Sequence, residues 1–411
     1  MISTVSTPEK LLIVSQFFWP EPIGTPFYVT DFARWFSVRE TDVTVLTGRP
    51  YYPEFRLWPD YDAGQRDRET MDGVNILRLP TYVPTAGKAI GRIVNETYFL
   101  FGVLLRLITG GIPRCHHVVS FSPSIMAVLA GVLTRRSGGQ HLAVIHDIQS
   151  GLAAGLGMVG NSRFIQLMRF VERTVLNRVD RIVVLSEKMK QTLQAQGVRR
   201  PIEVLPIWVD PEKIYPITSK GNEPPVILYS GNLGRKQGLE QVLALAEIVL
   251  GERPDVRVII RGSGSQLEMV SRQVRERGLK NVELDSLLPF EALNEGLAEG
   301  DVHLVPQNPD AADFAAPSKV YGIMAAGRPF VCTAAPGSTL WALQEETGAL
   351  VCAPPNDPRA FADAVMVLLG DPERRAEMGA RGRKYIEEHA ARDVVLGRYA
   401  AFLCDKKGRL P

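Results

Sequence analysis

Short apolar runs rich in β-branched residues alternate with longer stretches of helical period along almost the whole chain. In the first half, Lys10–Phe17, Asp42–Leu46, Val74–Leu79, His117–Phe121, His141–His146 and Arg181–Leu185 predict strands. Between them, Phe27–Val38, Ser124–Arg135, Phe164–Val179 and Glu187–Gln196 carry helical patterns. The strand runs are nearly continuous in apolar character, as burial of both sheet faces beneath helices demands. Such alternation predicts a doubly wound parallel sheet.

The rhythm lapses where Pro206, Pro211, Pro216 and then Gly221-Asn222-Glu223-Pro224-Pro225 accumulate, which predicts an exposed linker. A second series follows. Its predicted strands are Val226–Ser230, Val256–Arg261, Val282–Asp285, Val302–Val305, Pro329–Thr333 and Leu350–Ala353. Its helices include Leu239–Leu250, Gln266–Arg277, Phe290–Glu299, Ser318–Ala326 and Pro358–Leu369, and Pro372–Leu403 reads as helical throughout. The fold class expected is α/β: two Rossmann-like, doubly wound domains facing a cleft lined by the carboxyl ends of both sheets. The boundaries expected are residues 1–210, a linker at 211–224, a second domain at 225–390 and a closing segment at 391–411.

One stretch fits two roles. Tyr98–Ile108 reads YFLFGVLLRLI after Lys88 and Arg92. It is shorter than the roughly 20 apolar residues of a membrane span, and Arg106 interrupts it. It is either a core helix of the first domain or an amphipathic helix resting on an anionic membrane surface.

Composition narrows the class. With 45% hydrophobic and 22% charged residues among 411, the chain is globular, and a net charge of +2 argues against nucleic acid as a partner. Cys115, Cys332, Cys352 and Cys404 form no CxxC pair, so no zinc site is expected and a reduced compartment suits them. MISTVSTPEK lacks the basic start and apolar run of a signal peptide, pointing to the cytoplasm.

Five segments carry candidate chemistry. Gly24, in Pro20–Pro26 between the first strand and helix, lets backbone N–H groups approach an anion, or is a plain turn. His146 and Asp147 stand at the carboxyl end of a strand, where they can hold sugar hydroxyls and substrate oxygens. Gly231, Asn232, Arg235 and Lys236 lie in a glycine-rich basic turn before a helix, the makings of a diphosphate site. Arg261, Gly262 and Gly264 form another strand–Gly-x-Gly–helix passage that brings backbone close to a nucleotide. In the fifth, Pro317 precedes Ser318, a natural N-cap, and Lys319 in the first helical turn, where a cation opposes the dipole unless an anion is bound. The bland alternatives are capped helices and solvated charged turns.

SQFFWPEPIGT near the start, HDIQ at 146–149, YSGNLGRKQGLE at 229–240 and APSKVYGIMAAGRP at 316–329 together resemble the retaining family 4 glycosyltransferases of the GT-B fold. The branch is the one that builds colanic acid, O-antigen and other bacterial surface polysaccharides. The resemblance implies a nucleotide sugar held mainly by the second domain, an acceptor mainly by the first, and a last helix crossing back to domain one. It implies no cofactor and no metal. Retention would follow from same-face attack, with the departing diphosphate helping to take the acceptor proton. Lys319, Arg235 and Lys236 would stabilise that diphosphate, with His146 and Asp147 beside the transferred sugar. The expected acceptor is an undecaprenyl-diphosphate-linked saccharide, met through peripheral membrane contact by the Lys88–Ile108 segment and by Arg163, Arg169, Arg173 and Arg178.

Three departures stand out. Family members carry two glutamates separated by seven residues in the fifth motif, where this chain has Phe314 and Gly322. The second usually binds the ribose, and Asp313 is the acid beside the first position that would stand in for it. The family's basic-loop arginine and lysine are replaced by Asn232 and Gln237, with Arg235-Lys236 between them. A sugar-nucleotide epimerase of the same architecture and a non-catalytic nucleotide-sugar-binding protein are the alternatives.

Overall fold

The computed structural model describes residues 6–21, 24–52, 54–85, 89–157, 162–218, 221–312, 314 and 317–404. The chain divides into two compact units, Met1–Leu205 with Leu396–Pro411, and Pro206–Val395.

The first unit is built on an eight-stranded sheet: β1 (Lys10–Val14), β2 (Asp42–Gly48), β3 (Arg68–Met71), β4 (Val74–Leu79), β5 (Cys115–Phe121), β6 (Arg135–Ile145), β7 (Arg181–Val184) and β8 (Ile202–Val204). Their spatial order is β3-β4-β2-β1-β5-β6-β7-β8, all parallel except β3 against β4. β3 and β8 were not visible in the apolar pattern. β3 reads RETM with alternate residues half-exposed, and β8 is only three residues long.

The second unit carries β9 (Val226–Asn232), β10 (Arg257–Ser263), β11 (Val282–Asp285), β12 (Val302–Val305), β13 (Phe330–Thr333) and β14 (Leu350–Ala353). They are ordered β11-β10-β9-β12-β13-β14 and are parallel throughout. β12 and β13 are buried at every position, which explains their largely apolar sequence; buried His303 is paired through Nε2 with the Leu297 carbonyl. In each sheet the order reverses beside the first strand, between β1 and β5 and between β9 and β12. Crevices outside the carboxyl ends of strands at such reversals are where open α/β sheets take ligands.

The segment read as an exposed linker is bonded into the second unit instead. The Arg383 guanidinium donates to the carbonyls of Pro211 and Ile214, Tyr215 N donates to Asn294 Oδ1, and Asn222 Nδ2 donates to Asp301. The C-terminal helix is likewise not continuous. Pro372–Tyr385 and Arg392–Cys404 are separated at Ala391, which is extended and bridged to Val209. Val209 N donates to Ala390 O and Arg392 N to Val209 O, so backbone pairing replaces helix there. The last helix then enters the first unit, where Tyr399 meets Phe32 edge-on and Phe402 lies under Arg181.

The ambiguous helix, Ala89–Ile108, is core on one face and exposed on the other. Phe99 and Val103 join the core with Leu12, Leu77 and Val118. Phe101, Leu105 and Ile108 point out, exposed by 63%, 52% and 83%. Lys88 lies outside the described residues. Among those described, no helix is long and apolar enough to cross a membrane.

Candidate functional site

β9 ends in a turn that only glycine can make. Gly231 has φ 138°, and a Cβ on it would come within 3.5 Å of Lys319 Nζ. Lys319 opens the helix Lys319–Ala325 and lays its ammonium 3.6 Å from the centroid of the Tyr229 ring. Nζ is buried and has no hydrogen-bond partner among the described residues. Burial without a counter-charge pushes the ammonium from 10.5 down to about 7. The π face of Tyr229 beneath it offsets part of that cost. Tyr229 is itself held, its hydroxyl donating to Asn232 O at 2.7 Å.

The basic turn is short and ordered. Gly234 leads into a single 3-10 turn, Arg235–Gln237, and Gly238 at φ 63° starts the helix Leu239–Glu252. A Cβ on Gly238 would lie 3.0 Å from the Gln307 carbonyl, so the turn packs against the end of β12. Asn308 N donates to Lys236 O and Gln241 Nε2 to Gln307 O, which fix that contact. Arg235 is exposed. The chain thus gathers the Gly231 turn, the Arg235-Lys236 turn and Lys319 around the sheet's reversal.

Three expectations are corrected here. Arg261 is taken up within the protein: its buried guanidinium is bound to Asp285, Glu299 and the Gly296 carbonyl. Gly262 and Gly264 are glycine because β9 is too close. Their Cβ atoms would meet Gly231 O at 2.1 Å and Asn232 Oδ1 at 2.5 Å. Ser318 makes no side-chain cap. Its backbone is already helical, at φ −59° and ψ −27°, and a cap needs an extended residue. Pro317 supplies the first carbonyl of that turn, to Val320 N. Asp313, Pro22, Ile23, Ala315 and Ala316 lie outside the described residues. At Gly322 a Cβ would meet nothing within 4 Å, so the space a glutamate would fill is open.

In the first unit Gly24 caps the helix Thr25–Ser37 at φ 80°, with open space where a Cβ would stand. His146 follows β6. Its N–H donates to Ser122 Oγ at 2.7 Å, and its ring sits edge-on to Tyr28 and Phe121. Asp147, half-buried, lines a small crevice with Ser122, Gln149 and Glu172.

The sequence pattern does not single out three carboxyls, two buried (Glu21 and Glu172) and one half-buried (Glu96). Glu21 accepts the N–H groups of Tyr51 and Tyr52 at 3.0 and 2.9 Å, and burial raises it to about 7. Glu96 and Glu172 are also raised by burial. Glu21 lies within the SQFFWPEPIGT segment, but nothing in its spacing shows what it binds.

Comparison with known proteins follows the same division. The family model described as "Glycosyl transferases group 1" matches residues 210–385, and "Glycosyl transferase 4-like domain" matches 24–208. The chain is a family 4 glycosyltransferase of the GT-B fold. This glycosyltransferase is 27% identical to a putative colanic acid biosynthesis glycosyl transferase, WcaI, of Escherichia coli K12, across 95% of this chain and 98% of that one. The enzyme therefore stands in the branch that serves bacterial surface polysaccharide biosynthesis. Sucrose-phosphate synthase from Thermosynechococcus elongatus shares the fold at TM-score 0.76 and 18% identity, covering 96% of this chain and 97% of its own. Anabaena HepE in complex with UDP-glucose does so at TM-score 0.66 and 14% identity, covering 96% and 98%.

Proposed function

We propose that this enzyme transfers a sugar, with retention of anomeric configuration, from a nucleoside diphosphate sugar bound by Pro206–Val395. The acceptor hydroxyl attacks C1 as the C1–O bond to the diphosphate breaks, and the hydroxyl proton passes to the departing phosphate oxygen. Lys319 meets the charge that develops on that oxygen, and Arg235, Lys236 and the Gly231 turn hold the rest of the diphosphate. The Pro317-Ser318 turn borders the donor. His146 and Asp147 serve the transferred sugar. In this reading the positive charge comes from side chains, and no metal or cofactor takes part.

The observation that carries the reading is Lys319. A buried ammonium without an acid partner is costly to keep, and a bound diphosphate is the charge that would satisfy it. That HepE was crystallised with UDP-glucose supports a nucleotide sugar as the ligand class. A thermal-shift panel of UDP-, GDP-, dTDP- and ADP-sugars tests this. One nucleotide should stabilise the wild type by several degrees and leave Lys319→Ala unmoved. Equal shifts in both would remove Lys319 from the site.

The acceptor is proposed to be lipid-linked. Exposed Phe101, Leu105 and Ile108 on one helix support this, as do exposed Leu167 and Phe170 beside Arg163, Arg169 and Arg173 on the helix Ser162–Leu176. Apolar side chains interleaved with arginines suit the surface of an anionic bilayer. Flotation with phosphatidylglycerol vesicles should lose the Phe101→Ser/Leu105→Ser/Ile108→Ser variant. Phe99 is core and has no place in that test. Undiminished flotation would refute the membrane reading.

A further inference from the structure

The first turn of the helix Gln149–Gly155, just after Asp147, is held from outside by two carboxylates on two different helices, Glu172 buried and Glu96 half-buried. Glu96, on Ala89–Ile108, accepts from Ser124 Oγ at 3.0 Å and from Gln149 Nε2 at 3.4 Å. Glu172, on Ser162–Leu176, accepts the Ser150 N–H at 3.0 Å on one oxygen and the Ser150 hydroxyl on the other. Ser124 caps the helix Ile125–Thr134, which packs against both of those helices. On the strand side, Ser122 Oγ accepts the N–H groups of His146 and, at 3.5 Å, Asp147. Four of the five residues from 146 to 150, His146, Asp147, Gln149 and Ser150, are therefore tied to three separate segments by side-chain oxygens.

Burial raises both glutamates, and Arg92 and Arg169 are the positive charges that act on them. Such groups are expensive to bury unless their oxygens are used. Here each oxygen already faces a donor of the protein, which leaves neither carboxylate to act on substrate.

We propose that Glu96 and Glu172 are positioning residues: they clamp the Gln149-Ser150 turn and so hold the His146-Asp147 pair where the reaction needs it. This rests on the role proposed above for that pair. Holding a reacting group within about 0.5 Å matters because a misplacement of about 1 Å costs on the order of 10²-fold in rate.

The test pairs a structural readout with a kinetic one. Glu172→Ala and Glu96→Ala should speed peptide-level amide exchange across residues 145–156 at least tenfold, with exchange across Pro206–Val395 unchanged. Turnover is read as nucleoside diphosphate release from whichever member of the sugar-nucleotide panel the wild type uses fastest. It should fall about tenfold in kcat, with the donor KM within twofold. Glu172→Gln should recover most of the loss, because its amide oxygen still accepts the Ser150 N–H and its NH2 can donate to the Ser150 oxygen. Asp147→Asn/Glu172→Ala should be no slower than Asp147→Asn alone. If the alanine variants do not fold, Ser150→Ala and Gln149→Ala, which delete the side-chain donors instead, should show faster exchange across the same residues.

Unchanged exchange at 145–156 in folded variants overturns the proposal, as does a Glu172→Gln enzyme as slow as Glu172→Ala. Faster local exchange with wild-type turnover in Asp147→Asn upholds the clamp and refutes instead the role of the pair.

Discussion

Replacing Lys319 by methionine keeps the stem that lies on Tyr229 and removes the charge. In the folded enzyme burial holds the ammonium at about 7, against 10.5 for an ordinary lysine. That gap corresponds to a cost of about 5 kcal/mol for keeping the group charged. The unfolded chain binds the proton more tightly, so wild-type stability rises with pH between about 7 and 10.5. The cost is therefore complete below pH 7 and gone above 10.5. Even a third of it, about 1.5 kcal/mol, raises the melting point of a 150–250-residue unit by roughly 3–6 °C. Lys319→Met should thus melt higher than wild type at pH 6.5, and the advantage should shrink by pH 9.5. Turnover should drop about 10²-fold or more, the scale of losing one transition-state charge stabiliser. Differential scanning calorimetry at the two pH values, with and without nucleotide, measures all but the rate. A variant that melts lower than wild type at pH 6.5 would refute the buried, unpartnered ammonium. One that keeps the full nucleotide-induced shift would refute its contact with the diphosphate.

Arg261→Met should cost about 2–3 kcal/mol, from lost hydrogen bonds to Asp285 and Glu299, while nucleotide affinity by calorimetric titration stays within twofold. Weakened binding with unchanged stability would restore Arg261 to the donor site. Gly262→Ala should lose at least about 3 kcal/mol in urea denaturation, because its Cβ would stand 2.1 Å from a backbone oxygen that no rotamer change can move. Gly322→Glu should do the opposite. It fills open space on a helix, gains about 0.5–1 kcal/mol in propensity, and should tighten nucleotide binding by supplying the carboxylate other family members place there.

How far the site could be read from the chain differs from residue to residue. The turns at Gly231 and Gly238 were legible because a glycine between an apolar run and a helical run announces a backbone that other residues resist. His146 and Asp147 were legible because a polar pair closing a buried strand must emerge at its carboxyl end. Arg261 also closes an apolar run, yet Asp285 and Glu299 claim it, and those acids lie 24 and 38 residues away. No local spacing signals such a pairing. Gly262 and Gly264 were rightly marked as special, but the close neighbour is β9 itself.

The sequence by itself determined the two parallel sheets, the strand ends that could carry chemistry and the family. All of these follow from periodicity and from residues with a narrow choice of backbone. Tertiary structure decided which cations are free and which are spent. Lys319 is left bare over Tyr229, whereas Arg261 is neutralised. It also decided that one helix buries Phe99 and exposes Phe101, that Ala391 breaks a continuous helical pattern, and that Glu96 and Glu172 meet adjacent residues of one turn. The physical reason is common to all of these. Charge pairing, burial and backbone bridging depend on which distant segments arrive side by side, and local period carries no record of that.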